Sequence, residues 1–213
     1  MKNKSTIALF VSLVFVLPVL AFAIISCYEN KLQPLPVLGP VRENGGKKIM
    51  HIISDFSFTD QNGRLVSTAD WNDKIIVVDF FFTHCPAVCP KLTNSLKKVQ
   101  ENFRSDTQLL FNSFSVDPVR DSVPVLRAYT KRFHLDTHNW HLLTGNKKEI
   151  YTLARNSFML VATDGDGGPE DFIHSEKLVL IDKQKRIRGY YTGTDEREVD
   201  QLIHDIKKLK NGN

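Results

Sequence analysis

The sequence predicts an α/β domain built on a mixed sheet. Apolar runs of strand length stand at 74–82, 109–116 and 177–182. Amphipathic segments of helical period follow the first two, and a closely spaced strand pair near the C terminus precedes one last helix. Strand–helix alternation produces parallel pairs, whereas strands joined by a short turn pair antiparallel.

Each element has its own signal. HIISDFSF (51–58) alternates in part and DQNG (60–63) is turn chemistry, so an opening hairpin ends near Val66. KIIVVDFFF (74–82) is a continuous β-branched and aromatic run, as expected of a strand buried on both faces. The spacing of Leu92, Leu96, Val99 and Phe103 predicts a helix over 88–103 with those residues on one face. LLFNSFSV (109–116) is the next strand, ended by Asp117 and Pro118. Ser122 and Pro124 announce a helix running to His134. A short strand over 140–143, a helix over 147–156 and strands over 177–182 and 187–192 follow, and a final amphipathic helix covers 196–209. With two cysteines at the first strand-to-helix turn, this order is the thioredoxin-like arrangement: a mixed central sheet flanked by helices.

The N terminus sets the compartment. Met1–Lys4 carries two lysines, and no charged residue occurs from Ser5 to Tyr28. Such a stretch is long enough for a membrane-spanning helix, and the leading lysines place the remainder on the non-cytoplasmic, periplasmic-type side. Ile24-Ile25-Ser26-Cys27 also resembles a lipoprotein cleavage box in which Cys27 is acylated. The length and Pro18 favour an uncleaved helix, and both readings tether the domain to a membrane. The expected organisation is therefore an anchor over 1–28, a Pro/Gly-rich spacer over 29–46 and a domain over 47–213.

Composition excludes several classes. The 213 residues are 42% hydrophobic, enough for a core without disulfide staples, and only three are cysteine. A net charge of +4 is spread over interleaved acids and bases, with no Arg-rich, aromatic-interleaved stripe to bind nucleic acid.

FFFTHCPAVCP (80–90) carries the chemistry. Cys85 and Cys89 stand where a buried strand gives way to a helix, a place where sites collect and unpaired N–H groups favour thiolate. Pro86 keeps Cys85 out of helical geometry, and Pro90 fits only a first turn. Three intervening residues exceed the two of thioredoxin-like redox pairs, so metal binding and a disulfide are both accessible.

Among seven histidines, His174 is the candidate third ligand. It ends a Gly-rich loop just before a buried strand, where thioredoxin-like folds bring a loop over the cysteine turn. Redox members carry a proline beside that position; here Ile173-His174 occurs, with the nearest proline at 169. That argues for a Cys₂His site, while an ordinary hydrogen-bonded loop histidine suits the spacing equally. His84 reads as a turn residue, because neighbours at a strand end point to opposite sides. His134, His138 and His141 form a loose cluster at a helix end, and His51 and His204 read as surface positions. Asp164-Gly165-Asp166-Gly167-Gly168 fails calcium-loop spacing. Asp117–Asp121 is read mainly as a turn, with Asp121 or Ser122 capping the next helix.

These residues together resemble the Sco/SenC family of membrane-anchored copper chaperones for cytochrome c oxidase assembly. The resemblance rests on FFFTHCPAVCPKL, SVDPVRDSVPVLRAYTKRFH, WHLLTG and FIHSEKLVLID, in that order. It implies Cys85, Cys89 and His174 as ligands of one copper ion, with a copper-accepting oxidase subunit as partner. Ala87 and Ile173 replace the Asp common at each position. Two thiolates and one imidazole suit Cu(I), with Cu(II) also open, and incomplete coordination suits an ion that must be released. The expectation is a metallochaperone rather than an enzyme. The alternatives are a thiol–disulfide oxidoreductase whose redox-active pair Cys85–Cys89 keeps the acceptor's cysteines reduced, and a metal- or redox-sensing module.

Overall fold

The computed structural model describes residues 10, 12–23, 34–160 and 175–212. Among them, β1 (Val41–Asn44) and β2 (Lys47–Met50) form a separate hairpin. A seven-stranded sheet contains β3 (Ser57–Asp60), β4 (Leu65–Ser67), β5 (Ile75–Phe81), β6 (Leu109–Ser115), β7 (Trp140–Thr144), β8 (Lys177–Ile181) and β9 (Ile187–Thr192). Its order is β4-β3-β7-β6-β5-β8-β9. The β5–β6–β7 block is parallel, and the pairs on either side of it are antiparallel, so the sheet is mixed as expected.

β5 is buried along its whole length because both faces are covered. Ile75, Val77 and Phe81 pack with Leu92, Leu96 and Val99 of α1 (Val88–Asn102) and with Leu202 and Ile206 of α4 (Glu196–Lys210). Ile76, Val78 and Phe80 point the other way, into Phe56, Trp71, Phe114, Tyr151 and Phe158. The helix stripe expected from Leu92, Leu96, Val99 and Phe103 is buried throughout. Between β6 and β7 runs α2 (Val123–Phe133), ended by His134 in the left-handed conformation. After β7, α3 (Lys147–Thr152) continues as a π-helical turn over Leu153–Ser157. The opening hairpin turns where expected: Asp60 Oδ1 accepts from Asn62 N and Arg64 N, and Gly63 supplies φ +80°.

Two expectations at the N terminus meet a different picture. Residues 12–23 are helical and exposed, but no helix of the described residues is long and apolar enough to cross a membrane. Cys27 and the rest of the uncharged stretch beyond residue 23 lie outside the described residues. The spacer expected up to Gly46 also contains structure. Gly45 and Gly46, at φ +58° and +79°, close the β1–β2 hairpin as a mirror-image turn requires. Upstream, Leu38 N donates to Ile187 O, and Arg188 donates to the carbonyls of Pro36 and Leu35. Arg188 is buried against Asp182 and has donors to spare, while an extended Pro-rich segment has carbonyls without internal partners.

Candidate metal centre

The cysteine turn is built by the ends of two parallel strands. β5 stops at Phe81, and a turn closed by Cys85 N donating to Phe82 O carries Thr83 and His84. α1 starts at Val88, so Pro90 falls in its first turn, as its missing N–H requires. Ala87 occupies the N-cap and offers no side-chain acceptor; Cys85 Sγ serves instead, accepting from Cys89 N at 3.3 Å. The sulfur expected to work at the helix start thus also caps it. Both cysteines are free thiols.

Their environments differ. Partial burial pushes the Cys85 thiol up, but the N–H groups of Cys89, Ala87 and Val88 hold its thiolate, and the outcome lies below the ordinary thiol value. Cys89 is 4% exposed, and burial pushes its thiol up to about 12, with Cys85 and Asp79 adding to the rise against a lowering contact from the Phe82 backbone. Cys85 is the more readily ionised of the two. Cys89 keeps its proton unless a bound cation, or proton transfer to a departing thiolate, offsets the charge.

The pair opens into a cleft of about 360 Å³ whose lining includes Phe82, Cys85, Pro86, Cys89, Val116 and Glu176. Ser175 also lines it, so the chain re-enters the described structure beside the thiols, one residue after His174. His174 itself, Ile173 and the Asp164–Gly168 loop lie outside the described residues. Among the described residues, no group of three or more His, Cys, Asp or Glu gathers to hold a metal.

Four other histidines are engaged elsewhere. His51 Nε2 meets Ser157 O at 2.7 Å, His138 pairs with Asp136, His141 with Asp60, and His204 with Asp205. Within the His134–His138–His141 cluster, His138 and His141 take separate partners, and His134 ends α2. His84 is the exposed turn residue expected, although strand alternation, the reason given for it, does not govern Thr83 and His84 there.

Asp121 differs from its expected capping role. Ser122 is the N-cap of α2 without a side-chain cap bond, and the Asp121 carboxylate turns inward. Fully buried, it accepts from Ser115 Oγ at 2.6 Å, from Thr83 N at 3.1 Å and from Thr83 Oγ1 at 2.5 Å. It ties the loop after β6 to the cysteine turn after β5. The available signal was topological, since the carboxyl ends of neighbouring parallel strands meet at one edge.

A mixed sheet with a dithiol at the turn from β5 into α1 defines a thioredoxin-like domain. Comparison with known proteins narrows this class. The sequence model of the SCO1/SenC family matches residues 45–211, and the chain belongs to that family. A SCO1/SenC family lipoprotein from Bacillus anthracis is 33% identical, with TM-score 0.67 over 75% of this chain and 95% of that one. BsSco, described as a cytochrome c oxidase assembly protein with a disulfide switch, is 25% identical, with TM-score 0.68 over 85% and 100%. Copper-bound ScoI from Bradyrhizobium japonicum is 25% identical, with TM-score 0.60 over 74% and 99%.

Proposed function

We propose that this chain is a membrane-tethered copper chaperone. It carries one copper ion on Cys85, Cys89 and His174 and delivers it to the binuclear copper site of an oxidase subunit during cytochrome c oxidase assembly. The observation that carries this reading is the cleft beside the paired thiols, lined on its other side by Ser175 and Glu176. That wall brings the residue next to His174 against two soft sulfur donors, a set suited to Cu(I). The copper-bound Bradyrhizobium relative and the oxidase-assembly role given for BsSco support cargo and destination. An anaerobic Cu(I) titration of the reduced full chain against a competing chelator tests it. Wild type takes one tight equivalent, and His174→Ala weakens it roughly tenfold or more, a loss of about 1.4 kcal/mol or more. Binding indifferent to His174 sinks the Cys₂His assignment.

A second reading is favoured by the asymmetry of the pair. A low-lying Cys85 thiolate next to a buried Cys89 thiol suits attack on an acceptor disulfide. Cys85 forms the mixed disulfide, Cys89 resolves it, and the acceptor leaves as a dithiol while this pair becomes oxidised. The disulfide switch described for BsSco supports that use. Reductase turnover that survives His174→Ala but not Cys85→Ser would make this the main role.

A further inference from the structure

We propose that His84 is a landing ligand for copper, held ready by a buried Asp121–Thr83 relay and separate from the Cys85, Cys89 and His174 set. The inference rests on the copper-chaperone reading and deepens it. Thr83 Oγ1 lies 2.5 Å from Asp121 Oδ1 and 3.0 Å from His84 Nδ1. A carboxylate only accepts, so the single hydroxyl proton of Thr83 goes to Asp121. Toward His84 the same oxygen can then only accept, which requires a proton on Nδ1. For the neutral imidazole this hydrogen-bond network assigns the tautomer and leaves the lone pair on Nε2. Metal-binding histidines are held in the same way, with the other ring nitrogen donating to a fixed oxygen. Asp121 is itself fixed by Ser115 and the Thr83 backbone, so the relay does not drift.

Accessibility supplies the direction of travel. The His84 side chain is 59% exposed, Cys85 is half-buried, and Cys89 is 4% exposed. An ion arriving from a donor meets imidazole first, then one thiolate, then the buried sulfur. The transfer is a ligand exchange at constant oxidation state. The copper–Sγ bond to Cys85, entering as thiolate, forms as the copper–Nε2 bond breaks, and His84 departs as neutral imidazole. Delivery runs the same steps backward.

The test uses the reduced full chain under anaerobic conditions, with Cu(I) presented as its coloured bathocuproine disulfonate complex. Stopped-flow loss of colour gives the transfer rate, and the end point gives the affinity. For His84→Ala the expected result is a rate lowered roughly tenfold with the affinity kept, and recovery of the rate on adding free imidazole. Thr83→Val, which retains the backbone bond to Asp121, lowers the rate less because His84 remains but loses its fixed tautomer. An unchanged rate in His84→Ala overturns the inference. So does a slowed rate that imidazole does not restore and that falls in step with affinity, which marks a structural role. Wild type that takes up no copper removes the chaperone reading, and this one with it.

Discussion

Asp79 sits in the middle of β5, on the face that carries Val77 and Phe81 toward α1, and is buried there. Ser113 Oγ donates to it at 2.5 Å, and Trp140 Nε1 donates to the same hydroxyl at 2.9 Å. Burial raises its pKa from 3.8 to about 7, although the Ser113 and backbone contacts oppose the rise. A carboxyl that holds its proton more tightly folded than unfolded destabilises the fold once ionised. Its contribution is fully favourable below the unfolded pKa and is lost as the pH climbs through about 7. The gap corresponds to about 4 kcal/mol. Urea unfolding of the reduced, copper-free protein should therefore show stability declining between roughly pH 4 and pH 8. Asp79→Asn should flatten that part of the profile, and parallel slopes for the two proteins would refute the assignment. The apolar run around Asp79 reveals a central strand, but nothing in it announces a buried acid with a hydroxyl partner 34 residues away.

At the scale of elements, the segment ahead of the first hairpin behaves as a strap across β9. Arg188, with Asp182 beside it, holds the carbonyls of Leu35 and Pro36, and Leu38 adds a backbone bridge to Ile187. Gly39 completes the turn at φ +113°, where an added Cβ would stand 2.8 Å from His51 Cβ. Replacing Arg188 by Leu removes the strap's anchor and leaves buried Asp182 with Arg186 as its ionic partner among the described residues. Loss of one member of a buried pair costs about 3–5 kcal/mol. Arg188→Leu should lower the urea midpoint accordingly and raise amide exchange at Leu38; unchanged exchange there would show that the strap does not depend on this residue. The helices and strands were legible because each carries a periodic pattern of its own. The strap was not, because three prolines and three glycines look the same in a free spacer and in a segment docked through its carbonyls.

For the whole molecule, the strap fixes where the domain begins, because residues 35–38 dock on β9. If the uncharged stretch up to Tyr28 is the membrane anchor, the chain from there to Leu35 can span about 25 Å at most. Ile187 pairs with Ile181, and Ile181 pairs with Ile76, so the strap docks near the start of β5. The cysteines stand after the other end of that strand. The anchor we propose thus holds the domain close to the bilayer with the dithiol turned away from the attachment point. Full-length protein should stay with membranes through alkaline carbonate and be cleaved by protease added from the non-cytoplasmic side; release by carbonate would refute the anchor. The sequence by itself determined the mixed α/β domain, the place of Cys85 and Cys89 at a helix start, and the family pattern, because periodicity and proline placement are local. Only the tertiary structure decided that Asp121 reaches Thr83, that Cys85 Sγ caps α1, that Asp79 is sealed beside the site, and that residues 35–38 belong to the domain. Those depend on which strand ends and loops meet in space, and the pairing of distant segments leaves no periodic trace in any one of them.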